Sequence, residues 1–195
     1  MEKLIHEIQE LLRHPAQLFQ RLKDEETTQK EITKTVLLYF AAIPAVAGFI
    51  GKVVIGQNVA FVRYYHVPFF SGLLWAALLF GLSILGIYAV AFVVNFLTPK
   101  FGGIQSDLDA FKLTVYSFIP LLVLGFSSLI PALVGLHILG LYGIYLFYLG
   151  LPIMLHVSEE KALPLTIIIS LTGIFVTLLV SRIAGLVILK AMPGL

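Results

Sequence analysis

Apolar residues recur along this chain in two different registers. From Glu2 to Arg13, Leu4, Ile5, Ile8, Leu11 and Leu12 return at helical spacing between Glu2, Lys3, Glu7, Glu10 and Arg13, the signature of an amphipathic helix. His14-Pro15 interrupts it, and Leu18, Phe19 and Leu22 continue with a second short pattern. A helix lying on lipid usually carries a basic polar face. Here three acids stand against two bases up to Arg13, so packing against the end of a helix bundle competes with attachment to lipid.

Beyond Thr35 the apolar runs become continuous. The pattern predicts membrane spans at about 35–51, 69–97, 113–130, 133–156 and 163–189. The third and fourth come from one stretch, Leu113 to Ser158, which has no Lys, Arg, Asp or Glu and is too long for a single crossing of roughly 20 residues. Pro131, after Ser127-Ser128 and before Gly135, marks the turn of a transmembrane hairpin, because proline cannot donate into a continuing helix. Tyr116, Ser117, His137, Tyr142, Tyr145 and Tyr148 are the polar side chains this hairpin is expected to bury. The prediction is an all-α integral membrane protein, a five-helix transmembrane bundle over 31–195 behind a short amphipathic segment over 1–30.

Punctuation supports these elements. Asp24-Glu25-Glu26 reads as a solvated linker. Thr28 with Glu31 has the form of a capping box, and Ser106 with Asp107 and Asp109 that of an N-cap followed by acids against the helix dipole. Pro164 is expected in the first turn of the fifth span, where its missing donor is harmless. Phe61, Tyr64, Tyr65 and His66 around Arg63 resemble an interfacial aromatic belt. In the fifth span Thr166, Ser170, Gly173, Thr177, Ser181 and Ala184 form a narrow stripe of small residues that should face another helix, with Arg182 on the opposite side, free to snorkel.

Composition agrees, with 59% hydrophobic and 12% charged residues against the roughly 25% charged of a soluble domain. A net charge of +2 gives no reason to expect nucleic acid as a partner, and the absence of cysteine removes disulfides and thiolate metal sites. No cleaved signal peptide is visible at the N-terminus. Lys and Arg counted by alternating side fall nine against four, which predicts a cytoplasmic N-terminus and, with five spans, a C-terminus outside.

Candidate chemistry is sparse. A coupled transporter normally needs an ionisable residue at mid-membrane with a partner, and only His137 and Arg182 offer one, with no acid in the spans. Tyr142, Tyr145 and Tyr148 either line a cavity or pack with their hydroxyls on backbone carbonyls. Pro44, Pro120 and Pro152 lie within spans, where they would free carbonyls for a polar ligand. Asp107, Asp109, His156, Glu159 and Glu160 share one side of the membrane; carboxylates with an imidazole could hold a divalent metal, but acids at helix starts are also what the dipole favours. No phosphate loop, HExxH or nucleophile elbow occurs, so neither an enzyme nor a cofactor is expected.

Several stretches together resemble one family. Ala41-Ala42-Ile43-Pro44 with Gly48-Phe49-Ile50-Gly51, then Tyr116-Ser117-Phe118-Ile119-Pro120, Tyr145 through Pro152, and Ser158-Glu159-Glu160-Lys161-Ala162 are similar to the Yip (Ypt/Rab-interacting protein) membrane family, in particular its small bacterial inner-membrane branch. The resemblance implies five helices, a cytoplasmic N-terminus, a bacterial inner membrane and a non-enzymatic role. Eukaryotic members associate with Rab GTPases, a role the bacterial resemblance does not carry over. Two functions follow as expectations. One is a membrane scaffold or adaptor whose small-residue faces and amphipathic helix bind lipid, a second copy or another membrane protein. The other is a small transporter, channel or lipid-handling protein with a polar cavity near Tyr145.

Overall fold

The structure is a computed structural model and describes residues 2–59, 63–129 and 131–191. Among them five helices are long and apolar enough to cross a membrane. Two amphipathic helices come first, α1 (Glu2–Arg13) and α2 (Pro15–Asp24). The spans are α3 (Gln29–Ile55), α4 (Phe69–Phe101), α5 (Asp107–Leu129), α6 (Ile138–Leu155, α-helical over Tyr142–Leu155) and α7 (Glu159–Ala191). A short antiparallel ribbon of β1 (Gln57–Val59) and β2 (Arg63–Tyr65), with Asn58 opposite Tyr64, fills part of the α3–α4 connection. Phe61 of the expected aromatic belt lies outside the described residues, as does Ile130 at the end of the third predicted span.

Several boundaries differ from the sequence reading. The first span is longer than 35–51, because α3 starts on the capping box: Glu31 Oε2 accepts from the Thr28 backbone N–H at 2.9 Å, and Thr28 Oγ1 accepts from that of Glu31 at 3.2 Å. It ends at Gly56, whose φ of 84° suits a residue without Cβ. The second arm of the hairpin becomes α-helical only at Tyr142, because Pro131–Leu141 is wound as a 3-10 helix. Pro164 lies inside α7, which already begins at Glu159, so its missing N–H leaves the carbonyl of exposed Glu160 to solvent.

α5 is the axis of the bundle. In its most apolar stretch 72% of the residues are buried, against 22–39% in the other four spans. It packs on α3, α4 and α6, while α4 and α7 lie along one another, and their outward residues such as Phe92, Leu171 and Phe175 form the lipid-facing surface. Glycines permit the closest approaches. A Cβ on Gly48 would overlap the Trp75 ring, and one on Gly125 would reach Pro44, so α3 sits directly against both α4 and the end of α5.

α1 and α2 belong to the same core. Leu11, Leu18, Phe19 and Leu22 are almost fully buried among Leu113, Tyr116, Leu151 and Leu155 of α5 and α6. Of the two placements open from the sequence, the amphipathic segment takes the one against the bundle.

Candidate functional site

The polar chemistry collects where α1 and α2 close over one end of the bundle. Lys112, in the second turn of α5, is 1% exposed and donates to the carbonyls of Leu22 at 2.5 Å and Glu25 at 2.7 Å. These oxygens are at the end of α2, where the last carbonyls of a helix lack internal partners and the dipole favours a cation. Lys23 on α2 repeats the arrangement, its ammonium donating to Ile153 O in the last turn of α6 at 2.8 Å and lying 2.8 Å from His156 Nε2. Each helix end is thus capped by a lysine from another element. Further up α5, the Tyr116 hydroxyl donates to Glu7 Oε2 at 2.9 Å, and Tyr142 donates to Leu11 O at 3.1 Å. Arg21 and Glu10 pair at 2.7 Å across the His14-Pro15 break.

Under this cap lies a chamber of about 550 Å³ between α1, α2, α3 and α5. Glu7, Glu25, Lys112 and Tyr116 furnish its polar wall, and Ile8, Leu22, Ile32, Val36 and Phe40 its apolar one. Its rim on α3 is graded. Glu31, Thr35, Tyr39 and Ile43 follow at four-residue steps, so acid, hydroxyl, phenol and hydrocarbon succeed one another along about 18 Å of one helix face. Glu31, Thr35 and Tyr39 are exposed, and Ile43 is half-buried.

Two smaller cavities flank α5 deeper in the bundle. One of about 180 Å³ lies between α5, α6 and α7 and is bordered by Ser117, Phe118, Gly143, Phe147, Ser170, Gly173 and Thr177. The other, of about 250 Å³, adjoins Pro44, Trp75, Ser83, Gly125 and Ser128, and shares Phe118, Leu121 and Thr177 with the first. Phe118 partitions them: a Cβ on Gly173 would lie 3.1 Å from its ring, which also meets Phe147 edge-on at 6.2 Å. On the α7 stripe Gly173 approaches α5 at Phe118, Thr166 and Ala184 are buried, and Ser181 is exposed.

Among the residues singled out from the sequence, Tyr116 and Tyr142 anchor α1, and Pro44, Gly173 and Thr177 border the deeper cavities. Tyr145 and Tyr148, expected to be buried, are 48% and 40% exposed. Tyr145 meets Tyr142 ring to ring at a tilt of 36° with centres 5.6 Å apart, and the neighbouring cavity is bordered instead by Gly143, Ile144 and Phe147. Pro120 and Pro152 lie inside α5 and α6. The side chain of His137 lies outside the described residues.

The acid and histidine cluster is dispersed by its partners. Asp107 accepts from the Asn95 amide, whose carbonyl accepts the Ser106 N–H at 3.0 Å. Asp109 receives its backbone cap from Ser106 Oγ at 3.3 Å, His156 faces Lys23, and Glu159 and Glu160 are exposed in the first turn of α7. Among the described residues no three His, Asp or Glu side chains assemble a metal site. His156 has a second duty, since its left-handed backbone (φ 54°) terminates α6. Asp24-Glu25-Glu26 is not wholly a solvated linker, because Glu25 is half-buried with its carbonyl on Lys112.

The sequence reading missed Glu7, Lys112, Lys23 and Asn95. Signals existed for two of them. Glu7 sits three residues after Leu4 and four before Leu11, on the apolar stripe of α1, and Lys112 is four residues before Tyr116 on one face of α5.

Comparison with known proteins agrees with this architecture. The inner membrane protein YohC of Escherichia coli strain K12 is 31% identical over 159 residues, covering 78% of this chain and 80% of the relative. The protein of the same name from E. coli O6:H1 strain CFT073 matches to the same extent. No solved structure matches the chain. The family profile described as the Yip1 domain matches residues 10–180, from within α1 to the last third of α7, and the chain belongs to that family.

Proposed function

We propose that this is a non-catalytic membrane protein that binds membrane phospholipid, with the chamber under α1 and α2 as its binding site. The observation that supports this most directly is the graded rim of α3. A phospholipid is polar at one end and hydrocarbon along the rest, and the face from Glu31 to Ile43 changes in the same order over a comparable length. A chamber of about 550 Å³ accommodates a headgroup and glycerol, with the chains leaving past exposed Tyr39. Lipid is preferred to a protein partner because Thr166, Gly173 and Ala184 of the small-residue stripe that would have served an assembly interface are buried within the molecule. The nine-to-four distribution of Lys and Arg favours the cytoplasmic side for the capped end.

The full chain, purified in mild detergent and delipidated stepwise, is expected to retain about one phospholipid per chain by native mass spectrometry. Ile43→Trp, which fills the chamber from α3, should lower that retention severalfold. Equal retention by the variant, or none by the natural chain, refutes the reading. Because the chain has no cysteine, single cysteines placed at Gln9 and Gly194 report the two sides, and labelling both from the same side overturns the proposed orientation.

A further inference from the structure

We infer that the cavity of about 180 Å³ between α5, α6 and α7 is a second binding site, for an uncharged, carbonyl-bearing ring of the quinone class that enters from the bilayer. The site is separate from the chamber under α1 and α2 and stands or falls without it. Two serines single it out. A hydroxyl within a helix commonly donates to the carbonyl four residues earlier, and on these same helices Thr114, Thr166, Thr172 and Thr177 all do so at 2.7–2.9 Å. Ser117 on α5 and Ser170 on α7 border the cavity, and their hydroxyl oxygens are buried with no partner among the described residues. Ser117 as a whole is 2% exposed. A buried hydroxyl left unbonded costs free energy that a bond to a ligand restores.

The rest of the lining selects the ligand. Phe118, Leu121, Ile144 and Phe147 are apolar, the Thr177 hydroxyl already donates to Gly173 O at 2.8 Å, and among the described residues no charged side chain borders the space. Ser117 lies five residues beyond Lys112, about 7.5 Å further along the axis of α5. A charged headgroup would be stranded there, so the ligand is neutral. Each serine has a proton without an acceptor, which a carbonyl oxygen supplies. Water is a poor occupant, because it needs roughly two to four polar partners and beyond the two serines the walls are largely hydrocarbon. The volume exceeds the roughly 150 Å³ that holds a benzene ring, and Phe118 and Phe147, meeting edge-on, offer a flat molecule aromatic neighbours. Leu141, Ile174 and Leu178 at the border are exposed, so the mouth opens between α6 and α7 on the lipid-facing surface, where a hydrocarbon tail runs outward.

The experiment compares duroquinone with durene, the same tetramethyl ring without its carbonyl oxygens. Nanodiscs holding the full chain, and empty nanodiscs, are dialysed to equilibrium against each compound, and the excess held by the chain gives its dissociation constant. One neutral hydrogen bond corresponds to roughly a fivefold change in affinity, so duroquinone should bind at least that much more tightly than durene. Ser117→Ala combined with Ser170→Ala should abolish the difference and leave durene binding as it was. Because the double variant loses only hydroxyls that have no partner, it should unfold at the same temperature as the natural chain or higher. Equal binding of the two compounds leaves an apolar void alone and overturns the inference, as does binding of neither. A preference that survives in the double variant places the bond elsewhere, and a lower unfolding temperature assigns the hydroxyls to the fold; either result overturns it as well.

Discussion

Replacing Tyr116 by Phe removes one oxygen from the contact that fastens α1 to α5. The ring remains packed in the core cluster, so the perturbation isolates the hydroxyl. Its partner, Glu7 Oε2, is a carboxylate 2.9 Å away on a residue 5% exposed. A hydrogen bond to a charged group contributes about 1.5–3 kcal/mol, and leaving the buried carboxylate short of a donor keeps the loss in that range. At 1.4 kcal/mol per factor of ten, the undocked population of α1 should rise roughly 10- to 100-fold. Hydrogen exchange of the amides of α1 and α2 in lipid nanodiscs reads that population directly, because local opening sets their protection. Tyr142→Phe is a graded companion: its acceptor is the neutral carbonyl of Leu11 at 3.1 Å, and a loss of about 0.5–1.5 kcal/mol predicts roughly a 2- to 10-fold change. Protection of α1 that is unchanged in Tyr116→Phe, or that falls further in Tyr142→Phe, would refute the claim that the Glu7 carboxylate is the main polar anchor of the cap.

Three other substitutions probe separate parts of the structure. Lys112→Met strips the ammonium from Leu22 O and Glu25 O and should cost about 1–3 kcal/mol for each stranded carbonyl, seen as faster tryptic cleavage after Arg21 and a lower unfolding temperature. Gly48→Leu drives a side chain into the Trp75 ring and should destabilise the bundle by about 1–3 kcal/mol in a detergent thermal-shift measurement, with Ala less severe than Leu. Gly173→Leu with Thr177→Leu crowds Phe118 and the cavity beside it, lowering stability by a similar amount of about 1–3 kcal/mol. The oligomeric state on native gels should stay as it was, and a change in assembly without loss of stability would show the stripe serving an interface between molecules.

Periodicity and charge made the architecture legible in the sequence. The second span was read at 69–97, where the α-helical part of α4 lies, and the caps at Thr28 and Ser106 came from local rules that the structure obeys. The site was far less legible. Tyr116 and Tyr142 stood out as polar residues in apolar helices, but their partners are 109 and 131 residues away along the chain. Nothing local announces a bond across such a distance. Tyr145 and Tyr148 were misplaced because spacing by three turns a residue about 60° further around the helix at each step, so Tyr142 meets the core while the other two drift toward lipid. Glu7 was read among the polar positions of an amphipathic helix, the usual state of such a residue, and tertiary burial reversed it; Lys112 was not singled out. The cluster around His156 did not gather: Asp107 is held by Asn95 and His156 meets Lys23, while Glu159 and Glu160 are exposed.

The separation between Glu7 and Tyr116 also orders events while the chain is being made. With 109 residues between them and translation at about 5–20 residues per second, α1 exists for roughly 5–20 seconds before its receptor on α5 has been synthesised. Throughout that interval Ile8 and Leu11 have only the bilayer surface to cover them. A nascent chain arrested ahead of residue 112 should therefore stay attached to headgroups by its first helix, and release from the surface would mark the moment the third crossing is completed.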